Sequence, residues 1–226
     1  MGRSLEDFEL LNTASQLRRA ADHAFAFYGG AIPLEQCRSV TQESYDLLAA
    51  SARVSAHLVP LAERWALDRL RRLGILDNRL THAVPEVLFV DRHDSAAAPI
   101  AAALLAAYAR GRVNVASAGQ APVHGVDAMA VRVMADTGID LGSAFAKPLT
   151  DDALRAADVI VVLGQIDLPE GSGVSAMADR QRRLRWDVPD LRDQPFVTVR
   201  AGRDELDRRV LRLLVDLLPG DSASAG

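Results

Sequence analysis

A short charged segment near the middle of the chain carries the residue types that chemistry needs. The apolar stretch VLFV leads directly into Asp91, Arg92, His93 and Asp94. Two carboxyl groups in different environments can act as acid and base, and a histidine titrates near neutrality. This segment therefore favours proton-transfer chemistry on a small molecule, with Asp91 and His93 as catalytic candidates.

The residues beside these two candidates are expected to contact the ligand. In open α/β sheets, ligands bind in the crevice beyond the carboxyl ends of the strands, which is where residues 91–98 would lie. We predict ligand contacts for the neighbours of the two candidates: Arg92, Asp94, Ser95, Ala96 and Ala97. The alanine methyl groups at 96–98 favour a neutral or partly apolar ligand.

Structural roles for the same residues stay open. Asp91 would also serve as an acceptor for loop amides at a helix start, and His93 as a residue that orders the loop. Arg92 would then face solvent or pair with Asp94. Asp91, His93 and Asp94 are suitable metal ligands by type, but nearly adjacent loop residues rarely converge on one ion. We predict neither a metal nor a cofactor.

The elements that position this segment change type once along the chain. Before residue 74, apolar residues recur at spacings of three and four, which predicts three helices. Beyond it, four strand-like segments (VPEVLFV, VNVASAG, ADVIVVLG, RLRWDV) alternate with the helical segments IAAALLAAYARG and VDAMAVRVMADTG, and the helical RDELDRRVLRLLVDLL follows. This alternation predicts an α/β fold with a parallel four-stranded sheet flanked by helices. We expect a three-helix domain over 1–80, the α/β domain over 84–219 and a disordered tail over 220–226.

Composition narrows the classes of partner. The net charge is −4 and basic residues are interspersed with acidic ones, so we predict no nucleic-acid partner. The densest basic stretch, Arg180–Arg185, is interpreted as a solvated face beside a strand. The longest apolar run, residues 96–109, is too short for a membrane span, and no secretory signal is present, so we expect a cytoplasmic protein. Cys37 is the only cysteine and is interpreted as a partly buried helix residue, and His57 as a partly buried histidine.

Five separated segments resemble one known family. VLFV, the SAG at 117–119, MADTGIDL, KPLTDDALRAADVIVVLG and the WDVPD at 186–190 follow the order seen in low-molecular-weight protein tyrosine phosphatases, specifically their arsenate reductase branch. The N-terminal helices are similar to the helical domain fused to that module in actinobacterial arsenate reductases. The resemblance implies the same fold, and it covers nearly the whole chain.

The resemblance also shows what the charged segment lacks. The family's phosphate loop holds a nucleophilic cysteine, five residues, an arginine and usually a serine; Asp91, Ala97 and Ala98 stand at those positions. No cysteine follows Gly164, where the reductase branch carries a resolving thiol. The resemblance therefore implies neither phosphatase nor arsenate reductase activity here. In the family, WDVPD supplies the general acid, which makes Asp190 a third catalytic candidate, although turn chemistry would also explain it.

Two functions remain open after this comparison. The first is a repurposed enzyme that performs acid–base chemistry on a small molecule in a biosynthetic pathway, with the ligand in the crevice at residues 91–98. The second is a pseudoenzyme that binds a metabolite or a protein partner without turnover. The N-terminal helices are interpreted as a packing or dimerisation module, so a homodimer through them stays open in either case.

Overall fold

The computed structural model describes residues 5–51, 57–123, 125–168 and 181–218. The chain divides into two compact units, Met1–Thr81 and His82–Gly226. In the described part of the chain, no helix is long and apolar enough to cross a membrane. The predicted disordered tail at 220–226 lies outside the described residues.

Among its described residues, the first unit contains three helices, α1 (Leu5–Phe27), α2 (Leu34–Ser51) and α3 (Leu58–Leu76). Small and branched side chains, among them Ala24 and Leu70, form its core. Gly29 and Gly30 both have positive φ and turn the chain between α1 and α2.

Two residues of the helical unit differ from their predicted burial. His57 is exposed, so the prediction of a partly buried histidine is wrong; it precedes α3 with φ +71° and makes no side-chain cap. Cys37 is fully buried within α2, and its burial raises the pKa of its thiol. A buried thiol with a raised pKa is a poor nucleophile.

The second unit contains a four-stranded sheet formed by β1 (Glu86–Asp91), β2 (Asn114–Gly119), β3 (Val159–Leu163) and β4 (Arg182–Trp186). All neighbouring strands are parallel, in the order β2-β1-β3-β4. Successive β1 residues enter different apolar clusters, Phe89 on one face and Leu88 on the other. Both faces of the strand are therefore buried, which explains its continuous apolar sequence and confirms the predicted fold class.

In the part of this unit that the structure describes, four helices accompany the sheet: α4 (Ala97–Ala109), α5 (Ala128–Ala135), α6 (Asp151–Ala156) and α7 (Phe196–Leu217). α4 begins three residues before the predicted helical segment, which starts at Ile100, so Pro99 is the third residue of the helix. The missing N–H of Pro99 costs nothing within the first turn. The short α6 was not predicted, and α7 begins seven residues before the predicted start at Arg203. Six residues are too few for a helical repeat to show in the sequence.

Candidate functional site

A cleft of about 320 Å³ lies at the carboxyl ends of β1, β3 and β4. Parallel strands that share a sheet bring their carboxyl ends to one edge, so the segments that follow them meet there. The lining includes Asp91, Arg92 and His93 from the first segment and Asp187 and Asp190 from the last. The three catalytic candidates predicted from the sequence thus line one cleft.

Asp91, the last residue of β1, is held by the loop that it begins. The backbone N–H groups of His93 and Asp94 donate to its Oδ1 over 2.9 and 2.5 Å, and that of Ala98 donates to its Oδ2 over 2.9 Å. Ala98 lies in the first turn of α4, where N–H groups lack helical partners and attract negative charge. The loop therefore closes around a carboxylate that belongs to the chain itself.

Burial raises the pKa of Asp91 from its ordinary value of 3.8 to about 6. The neighbouring carboxylate of Asp94 raises this pKa further. The three hydrogen bonds from backbone N–H groups lower it, because they favour the ionised form of Asp91. Burial outweighs the amides, so Asp91 exchanges its proton closer to neutrality than an ordinary aspartate. Such a group suits general acid–base chemistry.

Asp94 anchors the loop from below. Its side chain is fully buried, and its Oδ2 accepts the backbone N–H of Lys147 at 2.8 Å and lies 3.2 Å from Lys147 Nζ. Lys147 Nζ also donates to Ser117 Oγ, over 3.3 Å. Burial raises the pKa of Asp94, whereas the Lys147 ammonium and the Ser117 hydroxyl oppose that shift. Because its partner is Lys147, the suggested pairing of Asp94 with Arg92 is wrong.

The loop is also fixed to the segment that follows β2. The N–H groups of Gln120 and Ala121 donate to the carbonyl oxygens of Asp91 and Arg92 over 3.2 and 2.8 Å. Gly119 packs so closely that a Cβ atom there would lie 2.8 Å from the backbone nitrogen of Asp94. Asp94 itself has a positive φ of 49°. These contacts hold the loop in one conformation.

A contact of one of its two ring nitrogens orients the side chain of His93. Its Nδ1 lies 3.2 Å from the carbonyl oxygen of Ala121. A carbonyl oxygen only accepts hydrogen bonds, so Nδ1 carries the proton and the neutral ring keeps a lone pair on Nε2. His93 therefore has both an ordering contact and a nitrogen that can accept a proton.

The carboxylates from the segment after β4 are exposed on the other side of the cleft. Asp190 Oδ1 accepts the backbone N–H of Arg192 at 3.0 Å, which is the turn contact that the sequence suggested. Its Oδ2 is not used in that turn. Asp187 also lines the cleft and is exposed. Both carboxylates are accessible to a ligand.

The predicted ligand contacts divide into two groups. Arg92 and Ala97 line the cleft. Asp94, Ser95 and Ala96 are buried and lie outside its lining, and Ala98 is buried as well. The alanines therefore fill the interior beneath the loop, and only Ala97 presents its methyl group to the cleft.

Among the described residues, no group of three histidine, cysteine or carboxylate side chains could hold a metal ion.

Sequence reasoning missed Lys147 and the segment after β3, which contributes Gln165 and Ile166 to the cleft. One signal for Lys147 was present: it is the only lysine in a chain that otherwise uses arginine. Gln165 and Ile166 carry no such signal.

Comparison with known families agrees with this architecture. Residues 17–74 match the N-terminal domain of protein-tyrosine-phosphatase-like proteins, and residues 86–217, more than half of the chain, match low molecular weight phosphotyrosine protein phosphatases. The chain belongs to the low molecular weight phosphotyrosine protein phosphatase family. The resemblance predicted from the sequence is confirmed.

Solved structures of other proteins share this fold to different extents. The thioredoxin-dependent arsenate reductase of Corynebacterium glutamicum is 31% identical, with a TM-score of 0.77, and the match covers 91% of this chain and 98% of that one. The YwlE arginine phosphatase of Geobacillus stearothermophilus is 23% identical, with a TM-score of 0.51, over 63% of this chain and 98% of that one. Vibrio vulnificus Wzb, in complex with benzylphosphonate, is 20% identical, with a TM-score of 0.50, over 59% and 99%. The first similarity extends into the helical unit, whereas the other two cover a smaller part of the chain.

Proposed function

We propose that this protein is a repurposed enzyme that transfers protons on a small molecule and does not act on phosphate esters or arsenate. The proposal rests on the Asp91 carboxyl group. It lines the cleft and accepts hydrogen bonds from three backbone N–H groups, and burial raises its pKa to about 6.

The occupied loop argues against an oxyanion substrate. A phosphate or arsenate would need the same N–H groups of His93, Asp94 and Ala98 that already bind Asp91. An incoming dianion would also meet the Asp91 carboxylate, and two like charges about 4 Å apart repel by about 4 kcal/mol at an effective dielectric constant near 20. The family's cysteine and arginine, which would offset this cost, are replaced by Asp91 and Ala97.

Proton transfer would use groups on both sides of the cleft. Asp91, with its raised pKa, exchanges a proton with the ligand near neutral pH, and His93 Nε2 accepts or relays it. Asp190, exposed on the opposite side, serves as the second carboxyl group of the acid–base pair. Arg92 and Ala97 contact the ligand. A neutral ligand fits this lining better than an anionic one.

A first experiment tests for the phosphatase and arsenate reductase activities that the proposal excludes. The purified protein is assayed with p-nitrophenyl phosphate and for thiol-dependent arsenate reduction, and both activities should equal the buffer background. Activity well above background that disappears in Asp91→Ala would overturn the proposal.

A second experiment tests catalysis itself. The protein is incubated with a metabolite extract of its host, and products are compared by mass spectrometry among wild type, Asp91→Asn and His93→Ala. The proposal expects a product that forms with wild type and is lost in both variants. An exposed carboxylate outside the cleft provides the matched control, Asp136→Asn, which should retain the product.

A second candidate function is binding without turnover, in a pseudoenzyme that holds a metabolite or a protein partner. One observation favours it: all three N–H groups bind Asp91 itself, which would suffice to explain the residue as a structural anion that keeps the loop closed. Saturable binding of a metabolite, with no product that depends on Asp91 or His93, would favour this candidate. The homodimer through the N-terminal helices stays a prediction that light scattering can test.

A further inference from the structure

The basic stretch that ends in β4 forms one side of a groove away from the cleft. In the described part of the chain, β4 pairs only with β3 and is an edge strand. Side chains alternate between the two faces of a strand. Arg182, Leu184 and Trp186 therefore share the face that meets α7, and Arg183 and Arg185 lie on the other.

The groove between β4 and α7 has a volume of about 310 Å³. Its lining combines an apolar floor with charged walls: Arg182, Leu184, Trp186, Arg209, Arg212, Leu213 and Asp216. Trp186 is almost fully buried, so it forms the base of the groove and not an exposed ring. An apolar floor of this kind accommodates aliphatic side chains, and the arginines beside it bind acidic ones.

The charge of the groove is opposite to that of the whole protein. Three guanidinium groups face one lining carboxylate, although the chain has a net charge of −4. Arg182 lies 2.9 Å from Asp216, and Arg209 lies 2.6 Å from Glu205 on its own helix. Arg212 has no hydrogen-bond or ion-pair partner among the residues that the structure describes. The guanidinium group of Arg212 is therefore available to an anionic partner in the groove.

We propose that this groove binds an extended acidic peptide segment of a partner protein, at a site separate from the cleft. An edge strand can pair with an added extended segment through backbone hydrogen bonds. In that segment, alternate residues lie on one face and repeat about every 7 Å, so acidic side chains can reach the arginines while apolar ones meet the floor. Arginine binds carboxylates with two parallel hydrogen bonds, which adds specificity to charge.

A nucleic acid fits the groove less well than a peptide. Five residues of strand extend about 17 Å, which would offer a phosphate backbone only a few contacts. The overall negative charge would oppose a longer track of phosphates. The short edge strand and the mixed lining both favour a peptide.

The proposal can be tested by fluorescence on the full chain. The two tryptophans are Trp65 and Trp186, so Trp65→Phe leaves a single reporter at the base of the groove. A synthetic peptide of alternating glutamate and valine is titrated in this background, beside matched peptides in which glutamine or lysine replaces glutamate. We expect saturable binding of the glutamate peptide alone, and weaker binding as salt is added.

Two variants of the same helix supply the decisive comparison. Arg212→Glu, inside the groove, should weaken binding of the glutamate peptide about tenfold, whereas Arg200→Glu, an exposed arginine outside it, should change binding less than about twofold. Equal binding of the three peptides, tighter binding of single-stranded polyuridylate, or equal losses in the two variants would overturn the proposal. Retained far-UV circular dichroism shows that each variant is folded.

Discussion

The raised pKa of Asp91 predicts an unusual pH dependence of stability, which Asp91→Asn removes. A carboxyl group whose pKa is 3.8 when unfolded and about 6 when folded binds its proton more tightly in the folded protein. It therefore adds stability below about pH 4 and loses that contribution as the pH rises through about 6. The shift of about 2 units corresponds to about 3 kcal/mol at 1.36 kcal/mol per unit.

The expected signal is large enough to measure by urea unfolding. Between about pH 4.5 and about pH 7.5, the free energy of unfolding of the wild type should fall by about 2 kcal/mol relative to Asp91→Asn. In Asp91→Asn, the amide NH₂ faces the N–H of Ala98, so the variant also has a constant penalty that does not change with pH. Trp186 fluorescence in a Trp65→Phe background reports unfolding of the α/β unit.

A neighbouring carboxylate supplies the control for this experiment. Asp187 lines the same cleft but is exposed, so Asp187→Asn should follow the wild-type pH profile. A difference between wild type and Asp91→Asn that is flat over this range would contradict the reasoning. So would a wild type that gains stability relative to the variant as the pH rises, because that result requires an Asp91 pKa below its ordinary value.

Three further predictions concern the loop. Lys147→Met should lower the free energy of unfolding by about 3–5 kcal/mol, because it leaves the Asp94 carboxylate buried without its cation, and adding Asp94→Asn should restore part of the loss in the same urea assay. Asp91→Ala frees three N–H groups, those of His93 and Asp94 in the loop and that of Ala98 in the first turn of α4. Inorganic phosphate at about ten times its Kd should therefore stabilise this variant by about 1.4 kcal/mol in thermal unfolding and leave the wild type unchanged, and equal responses of the two proteins would refute this description of the loop. Gly119→Ala should cost about 1–3 kcal/mol, since its Cβ would lie 2.8 Å from the Asp94 nitrogen, and an unchanged urea midpoint would refute that packing.

The strands of the sheet were predictable because each has a local signal in the sequence. Strands such as VLFV and VIVVL are buried on both faces, and each is bounded by residues that end a strand, so apolar runs locate them without knowledge of the tertiary structure. The start of α4 was harder to place. Ala97 and Ala98 carry no capping side chain, and Pro99 is tolerated at any of the first three positions.

The cleft was predictable in part for the same reason. The carboxyl ends of β1 and β4 must meet in a parallel sheet, which brings Asp91 and Asp190 to one edge. Which side chains of a loop face the cleft depends on its backbone conformation, and Asp94 is turned inward by a positive φ that no spacing rule reveals. Its contact with Lys147 joins residues that are far apart in sequence, so only the fold could supply it.

Isotope exchange measures proton transfer at the cleft without knowledge of the substrate. The protein is incubated in D₂O with a metabolite extract of its host, and mass spectrometry follows deuterium incorporated into metabolites or new products. We expect incorporation that the wild type catalyses and that Asp91→Asn and His93→Ala both abolish, with Asp136→Asn unaffected. Incorporation that survives both cleft variants would show that Asp91 and His93 do not transfer the proton.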